Sequence, residues 1–343
     1  MTSQTTLATH SDPIAPSQIR YQNPVWPRYF ADPFVLRHGA RYYAYGTGAT
    51  PVEEDGRAFP VLQSDDLVHW EYLGGAVRPI SGATAYWAPE VAESKGTFYL
   101  YYSTAFGHSD ESHGLRVAVA DFPTGPFNDL GRLLLPDAGF TIDPHPFRDP
   151  KTGQWYLFFA TDYTADEPHG TGLAVVPMND DMTSVVGPPK TVIRASQDWQ
   201  IYERDRNYKG QTWRKWHTVE GPFVLYHDNR YWCLYSGGRW SSDNYGVGVA
   251  VAEHPLGPWV DESAVHGPVV LKATPDETIG PGHNSVTVAP DCQTLLFVYH
   301  AWDPKRTLRR MCIDPLNWTP QGPKCLGPTT GLQSLYRSSN AVP

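Results

Sequence analysis

The stretch TVEGPFVLYHDNRYWCLYSGG, Thr218 to Gly238, decides how the rest of the chain is read. A polar, aromatic-rich loop ends at Glu220, and Gly221-Pro222 follows. Two apolar runs then flank a turn at Asp228, the pattern of a β-hairpin. A glutamate at the mouth of an apolar strand needs a reason, because charged groups are seldom buried and their burial is costly unless they are paired.

The layout recurs four more times. FADPFVLRHGARYYAYGTG carries Asp32-Pro33, a His38-Gly39 turn and the run Tyr42–Tyr45. WAPEVAESKGTFYLYYST carries Pro89-Glu90, a Lys95-Gly96 turn and Phe98–Tyr102. TIDPHPFRDPKTGQWYLFFATD carries Asp143-Pro144, a Lys151-Thr152-Gly153 turn and Trp155–Phe159. GPGHNSVTVAPDCQTLLFVYHAW carries His283, a Pro290-Asp291 turn and Leu295–Tyr299. Starting near residues 32, 89, 143, 220 and 283, the hairpins are 57, 54, 77 and 63 positions apart. Each is followed by a further strand-like pair, and RVAVADFPTGPF after the second matches GVAVAEHPLGPW after the fourth almost residue for residue. The apolar runs are short, aromatic or β-branched, and bounded by Gly, Pro, Asn and Asp. Five repeats of about four strands predict an all-β chain folded as a five-bladed β-propeller around a central channel. We expect residues 1–20 to be a poorly ordered N-terminal segment and 21–343 a single propeller domain.

Composition agrees. Of 343 residues, 41% are hydrophobic and 13% aromatic, enough for a large core, and 30 Gly with 32 Pro imply many tight turns. A net charge of -9 argues against nucleic acid as a partner, and no apolar run is long enough to span a membrane. Four cysteines form no C-x-x-C pair, and Cys233 and Cys312 read as reduced core residues. The N-terminus MTSQTTLATHSDPIAPSQ lacks a basic-then-apolar pattern, so the chain reads as cytoplasmic, or as secreted if a signal has been trimmed.

In a propeller the entrances of the innermost strands converge at one end of the axis. Asp32, Asp143 and Glu220 would then meet in one pocket, where like charges raise one another's pKa. An Asp or Glu before Pro or Gly is also a common turn former, but that reading does not explain three acids at equivalent places. Asp149, Asp228 and Asp291, at the far hairpin turns, are read as turn residues only.

These motifs resemble glycoside hydrolase family 43 over residues 20 to 320. The resemblance rests on ADPF with YYAYGTG, YWAPEV with FYLYYS, TIDPHPF with WYLFFATD, EGPFVL with YWCLYSGG, and GPGHNSV with VYHAWD. It implies Asp32 as general base, Asp143 as the residue that orients the acid and tunes its pKa, and Glu220 as general acid. It implies an inverting mechanism, with the two carboxyl groups about 6.5–9.5 Å apart to admit a water. It further implies His283 near one Ca2+ in the central channel, held directly or through water, and Trp87 lining the sugar pocket. Ile142, beside Asp143, and Arg239, in SGGRW, are further substrate-binding candidates, with a surface salt bridge the other reading of Arg239. His145 and His300 border the pocket or are satisfied core histidines.

The family chiefly removes α-L-arabinofuranosyl or β-D-xylosyl units from plant cell-wall oligosaccharides. Many xylosidase relatives carry an extra C-terminal β-sandwich, for which this sequence leaves no room, so an arabinose-directed enzyme is expected. The insertion ASQDWQIYERDRNYKGQTWRKWH, Ala195 to His217, precedes Glu220 and reads as a loop. It is either a wall of a closed, exo-type pocket or a segment packed on its own aromatics. The reading is an exo-acting α-L-arabinofuranosidase. Endo-arabinanase and β-D-xylosidase remain as alternatives, with a non-catalytic carbohydrate-binding propeller as the rival class.

Overall fold

A computed structural model of the protein describes residues 17–107 and 110–338. Five antiparallel sheets follow one another along the chain as blades. Blade 1 runs through Ala31–His38, Arg41–Thr47, Ala58–Ser64 and Glu71–Val77. Blade 2 comprises Ala83–Ser94, Thr97–Phe106, Gly114–Ala120 and Asn128–Asp129. Blade 3 comprises Thr141–Arg148, Trp155–Tyr163, Gly170–Pro177 and Lys190–Ile193. Blade 4 comprises Val219–His227, Arg230–Gly237, Gly246–Ala252 and Val260–Asp261. Blade 5 comprises Ile279–Val288, Leu295–Trp302, Arg309–Thr319 and Gly322–Cys325. The first strand of each blade contacts the first strand of the next, so these five strands form the innermost ring.

Strand alternation builds the core. In blade 2, Phe98, Leu100 and Tyr102 pack against Tyr45, Phe59 and Val61 of blade 1. The intervening Tyr101 points the other way, to Leu157 and Phe159 of blade 3. Phe158 and Ala160 in turn meet Val224, Tyr231 and Cys233 of blade 4. Trp232 and Leu234 meet Phe297, Tyr299 and Cys312 of blade 5, whose Leu296 and Val298 return to Val35 and Tyr42 of blade 1. Every blade is thus apolar on both faces, because each is sandwiched between two others. Cys233 and Cys312 are buried and free, as expected. Several Tyr hydroxyls inside these cores are partnered: Tyr231 donates to Asp149 Oδ1 at 2.7 Å, so Asp149, besides closing its own turn through Lys151 N–H, pins blade 4 to blade 3.

All five inner strands share one backbone device. A β-bulge sets two residues against one at Asp32-Pro33, Ala88-Pro89, Asp143-Pro144, Gly221-Pro222 and His283-Asn284. The first residue of each pair is left-handed, with φ of 51°, 48°, 57°, 55° and 49°. In four blades the second is proline, which has no N–H to leave unpaired. This register corrects one expectation. Asp32, Asp143 and His283 occupy equivalent positions, but Glu220 lies one residue earlier, level with Trp87 and Ile142. The left-handed position of blade 4 belongs to Gly221, where a Cβ would come within 3.2 Å of the His283 ring.

Two further expectations change. Residues 17–20 are not loose: Ser17–Tyr21 pairs with Gln333–Arg337 from the other end of the chain, an attachment invisible locally. Residues 1–16 lie outside the described residues. The insertion before Glu220 is not a loop but an antiparallel hairpin, Ile201–Tyr208 and Gln211–His217, turning at Lys209-Gly210. Both turn residues are left-handed, at φ 51° and 76°. The hairpin joins blade 3 through a parallel bridge between His217 and Gly170. No helix among the described residues is long and apolar enough to cross a membrane.

Candidate active site

Asp32, Asp143 and Glu220 all line one cavity of about 250 Å³ at the mouth of the inner ring. Their 111- and 77-residue separations are closed by the ring of inner strands, each of which carries its acid at or beside a bulge. Asp32 is 8% exposed and held on both oxygens. Thr47 donates its hydroxyl to Asp32 Oδ2 at 2.6 Å, and the Ala88 N–H donates to that same hydroxyl at 2.9 Å. Asp32 Oδ1 faces His283 Nδ1 at 3.4 Å, His300 Nδ1 at 3.2 Å and Arg309 Nη1 at 3.4 Å.

Burial alone would raise the Asp32 pKa, but the positive partners His283 and Arg309 draw it well below the ordinary carboxylate value. Arg309 is the lasting charge among them, because burial lowers the pKa of His283 and takes that of His300 down to about 4. The Asp32 N–H also lies 3.1 Å from His300 Nδ1. Arg309 is itself locked in place. It donates to the Tyr29 hydroxyl through Nε at 3.0 Å and Nη2 at 2.6 Å, and lies 4.5 Å from the Trp240 ring.

Asp143 and Glu220 behave as a pair. Asp143 is pushed well above its ordinary value by burial and then by the charges of Glu220 and Asp32. Its Oδ2 accepts the Gly221 N–H at 3.0 Å, which ties it to the backbone next to Glu220. Burial, with the Asp32 charge adding to it, raises Glu220 to about 7, against the opposing hydrogen bond from the Tyr245 hydroxyl to Oε1 at 2.7 Å. Two buried carboxyls that repel each other do not ionise independently, and their titrations belong to the pair. The pocket therefore holds one carboxylate kept ionised and one carboxyl group kept protonated near neutral pH, the complement that general acid–base cleavage of a glycosidic bond requires.

Trp87 and Ile142 line this cavity, with the Trp87 indole stacked on His113 at 3.8 Å between centroids. Arg239 does not. Its side chain is 45% exposed, donates to Ser241 Oγ at 3.2 Å and lies over Tyr202. The chain turns at Gly238, φ 90°, and it is Trp240, one residue beyond Arg239, that enters the pocket. The cation beside the acids is Arg309, from a third strand, where nothing in RRMCIDPLNW marked it. His283 lines the cavity, whereas His145 is a satisfied core residue: Nδ1 pairs with Glu90 at 2.8 Å and Nε2 accepts the Val224 N–H at 3.0 Å. Asn284 is buried with neither amide atom partnered.

The hairpin supplies the opposite wall through Tyr202, Arg206, Tyr208 and Trp216. Trp216 both packs and lines, 1% exposed among Tyr208 and Trp213, while Trp213 only packs. Trp199 stacks on Tyr235 below the wall. Asp162 of blade 3 holds the hairpin tip, accepting from Tyr208 at 2.9 Å and from Lys209 Nζ at 2.7 Å.

The sequence profile of glycosyl hydrolases family 43 matches residues 21–323. The chain is a family 43 glycoside hydrolase. Among solved structures, this hydrolase superposes on a thermostable family-43 glycoside hydrolase with a TM-score of 0.79 and 34% identity, covering 91% of this chain and 98% of the other. A β-D-galactofuranosidase of Aspergillus niger is 27% identical over 89% of this chain and 84% of its own. An extracellular exo-α-(1→5)-L-arabinofuranosidase of Cellvibrio japonicus is 27% identical over 85% of this chain and 84% of its own. Other relatives of the hydrolase are named as endo-arabinosidases, so kinship establishes glycoside hydrolysis and leaves the bond cleaved to the site.

Proposed function

We propose that this hydrolase removes terminal α-L-arabinofuranosyl units from arabinan- or arabinoxylan-type plant oligosaccharides, with inversion at the anomeric carbon. The observation that carries the reading is the hairpin wall. Tyr202, Arg206, Tyr208 and Trp216 add a wall to the cavity that holds the acids, which favours a pocket that takes a chain end. Furanose-directed names among the relatives, galactofuranosidase and arabinofuranosidase, support the same choice of ring.

In this mechanism Asp32, ionised beside Arg309, draws the proton from a water that attacks the anomeric carbon. Glu220 gives its proton to the departing oxygen on the opposite face. Asp143 titrates together with Glu220 and fixes the strand that carries it through Gly221 N–H. The extracellular names of relatives favour a site of action outside the cell, on cell-wall fragments.

For the channel we propose a calcium ion held mainly by water, with His283 as one ligand. Among the described residues no group of three or more His, Cys, Asp or Glu is placed to hold a metal. The unpartnered amide of Asn284, next to His283 in the chain, does call for a polar occupant. Calcium takes about six to eight oxygens, so water would supply most of them. Chelation should lower the melting temperature; unchanged melting and activity in metal-free protein would exclude a functional metal.

The deciding experiment runs p-nitrophenyl α-L-arabinofuranoside, p-nitrophenyl β-D-xyloside and linear arabinan side by side, with product analysis and NMR of the fresh anomer. Release of arabinose alone, first as the inverted anomer, is expected. Faster xyloside cleavage would make it a xylosidase, a ladder of arabino-oligosaccharides an endo-enzyme, and binding without turnover a lectin-like propeller.

A further inference from the structure

Arg206 presents an arginine fork whose flat face is occupied and whose N–H edge is not. The rings of Tyr208, Tyr202 and Trp216 lie 4.6, 4.9 and 5.0 Å from its guanidinium carbon. The nearest carboxylate oxygen, Glu203 Oε2, is 4.0 Å from Nε, beyond hydrogen-bond length. Among the described residues its guanidinium donates no hydrogen bond to the protein, yet Arg206 lines the pocket. Three rings fix the plane of a group with five donors, so little rotational freedom remains to be lost when an acceptor arrives.

The wall that carries it is anchored at both ends. At the tip, Lys209 pairs with Asp162 at 2.7 Å and its N–H donates to Glu111 Oε1, in the connection between the second and third strands of blade 2, at 3.0 Å. At the base, His217 bridges to Gly170. Position in the ring then says what Arg206 faces. In a closed ring of five, blade 3 lies opposite the junction of blades 5 and 1, which contribute Arg309 and Asp32. An inverting displacement brings water from the side of the base and sends the leaving group to the other face. The hairpin of blade 3, which runs directly into Glu220, stands on that other side.

We infer that Arg206 is the specificity residue for the leaving-group sugar, donating its free N–H groups to hydroxyl oxygens of the unit next to the cleaved bond. This rests on the inverting assignment of Asp32 and Glu220. It makes the hairpin a reader of carbohydrate leaving groups, which a flat aryl group with few acceptors would not satisfy.

The test compares kcat/KM on α-(1→5)-arabinobiose with kcat/KM on p-nitrophenyl α-L-arabinofuranoside in wild type, Arg206→Ala and Arg206→Lys. The disaccharide-to-aryl ratio should fall about tenfold or more in Arg206→Ala, the loss expected for a charged donor, and recover in part in Arg206→Lys. A ratio within about twofold of wild type overturns the inference, whether both activities fall together or neither does. If wild type prefers xylosides, the same ratio is taken with xylobiose and the aryl xyloside: the sugar proposed above would then have failed while Arg206 is still judged by its own ratio.

Discussion

Tyr245 donates its hydroxyl to Glu220 Oε1 at 2.7 Å, and this is the acid's only protein hydrogen bond among the described residues. A donor of this kind favours the ionised carboxyl and so works against the burial that raises it. Tyr245→Phe should therefore raise the Glu220 pKa and move the basic limb of kcat/KM upward, by about one pH unit given the usual strength of a hydrogen bond to a charge. A limb that stays in place or moves down would show that Glu220 is not the group titrating there.

The wild-type profile has its own sign. As the proposed acid Glu220 acts while protonated, so activity should fall as pH rises through about 7, where its carboxyl ionises. As the proposed base Asp32 acts while ionised, and its pKa is drawn well below the ordinary carboxylate value, so activity should survive acidification until that carboxylate protonates. Arg309→Met removes the lasting positive charge and should move the acid limb upward, whatever happens to the maximum rate. An acid limb unmoved in that variant would contradict the role given to Arg309.

Roles separate by leaving group. Glu220→Gln should cost about 10²- to 10⁴-fold on arabino-oligosaccharides, whose alkoxide cannot leave unprotonated, and far less on activated aryl glycosides. Asp32→Asn should damage both classes alike, since attack by water is common to both. Equal losses on the two substrate classes in Glu220→Gln would refute its assignment as acid.

One close contact sets the base of the hairpin wall. Gly170, at φ 146°, sits so close to the hairpin that a Cβ would fall 2.0 Å from His217 O. Gly170→Ala must displace the base of the wall. Because the hairpin packs its own cluster of Tyr208, Trp213 and Trp216, apart from the five cores between blades, the ring itself should survive. We expect a loss of about 10² in kcat/KM, the scale of a misplaced positioning element, with a modest fall in melting temperature. Kinetic constants unchanged in a folded variant would remove the hairpin from the pocket's working parts.

The sequence announced the ring of blades because each hairpin repeats an acid, proline, turn and aromatic run, and that grammar is local. It misjudged the register of Glu220 because a bulge shifts side chains by one position without changing composition: EGP and DP look alike until the left-handed residue is known to be Gly221 in one blade and Asp143 in another. Arg309 was illegible for another reason. It reaches Asp32 across 277 positions, from a strand whose other residues serve the core, and no neighbour in sequence hints at it. Arg239 looked better placed, but a single glycine turn sent Trp240 inward instead. The insertion's alternation of Tyr202, Arg206 and Tyr208 around a Lys-Gly turn could have been read as a hairpin; its polarity disguised it, because its inner face meets a pocket rather than a core.

The pairing of Ser17–Tyr21 with Gln333–Arg337 has a consequence for chain connectivity. Each blade takes all four of its strands from one continuous stretch, so no blade is completed by strands from opposite ends of the chain. The ring is instead fastened outside the blades, by an antiparallel ribbon in which Ser17 faces Arg337. Two strands so paired hold their backbones about 5 Å apart, within the span of a short linker. The protein is thus suited to circular permutation: joined across that ribbon and opened between blades 2 and 3, near the exposed Gly139, the chain would thread the same blades from a new starting point. In such a permutant the order of the carboxylates along the chain would change, with Asp143 first and Asp32 last, and the pocket they form would not.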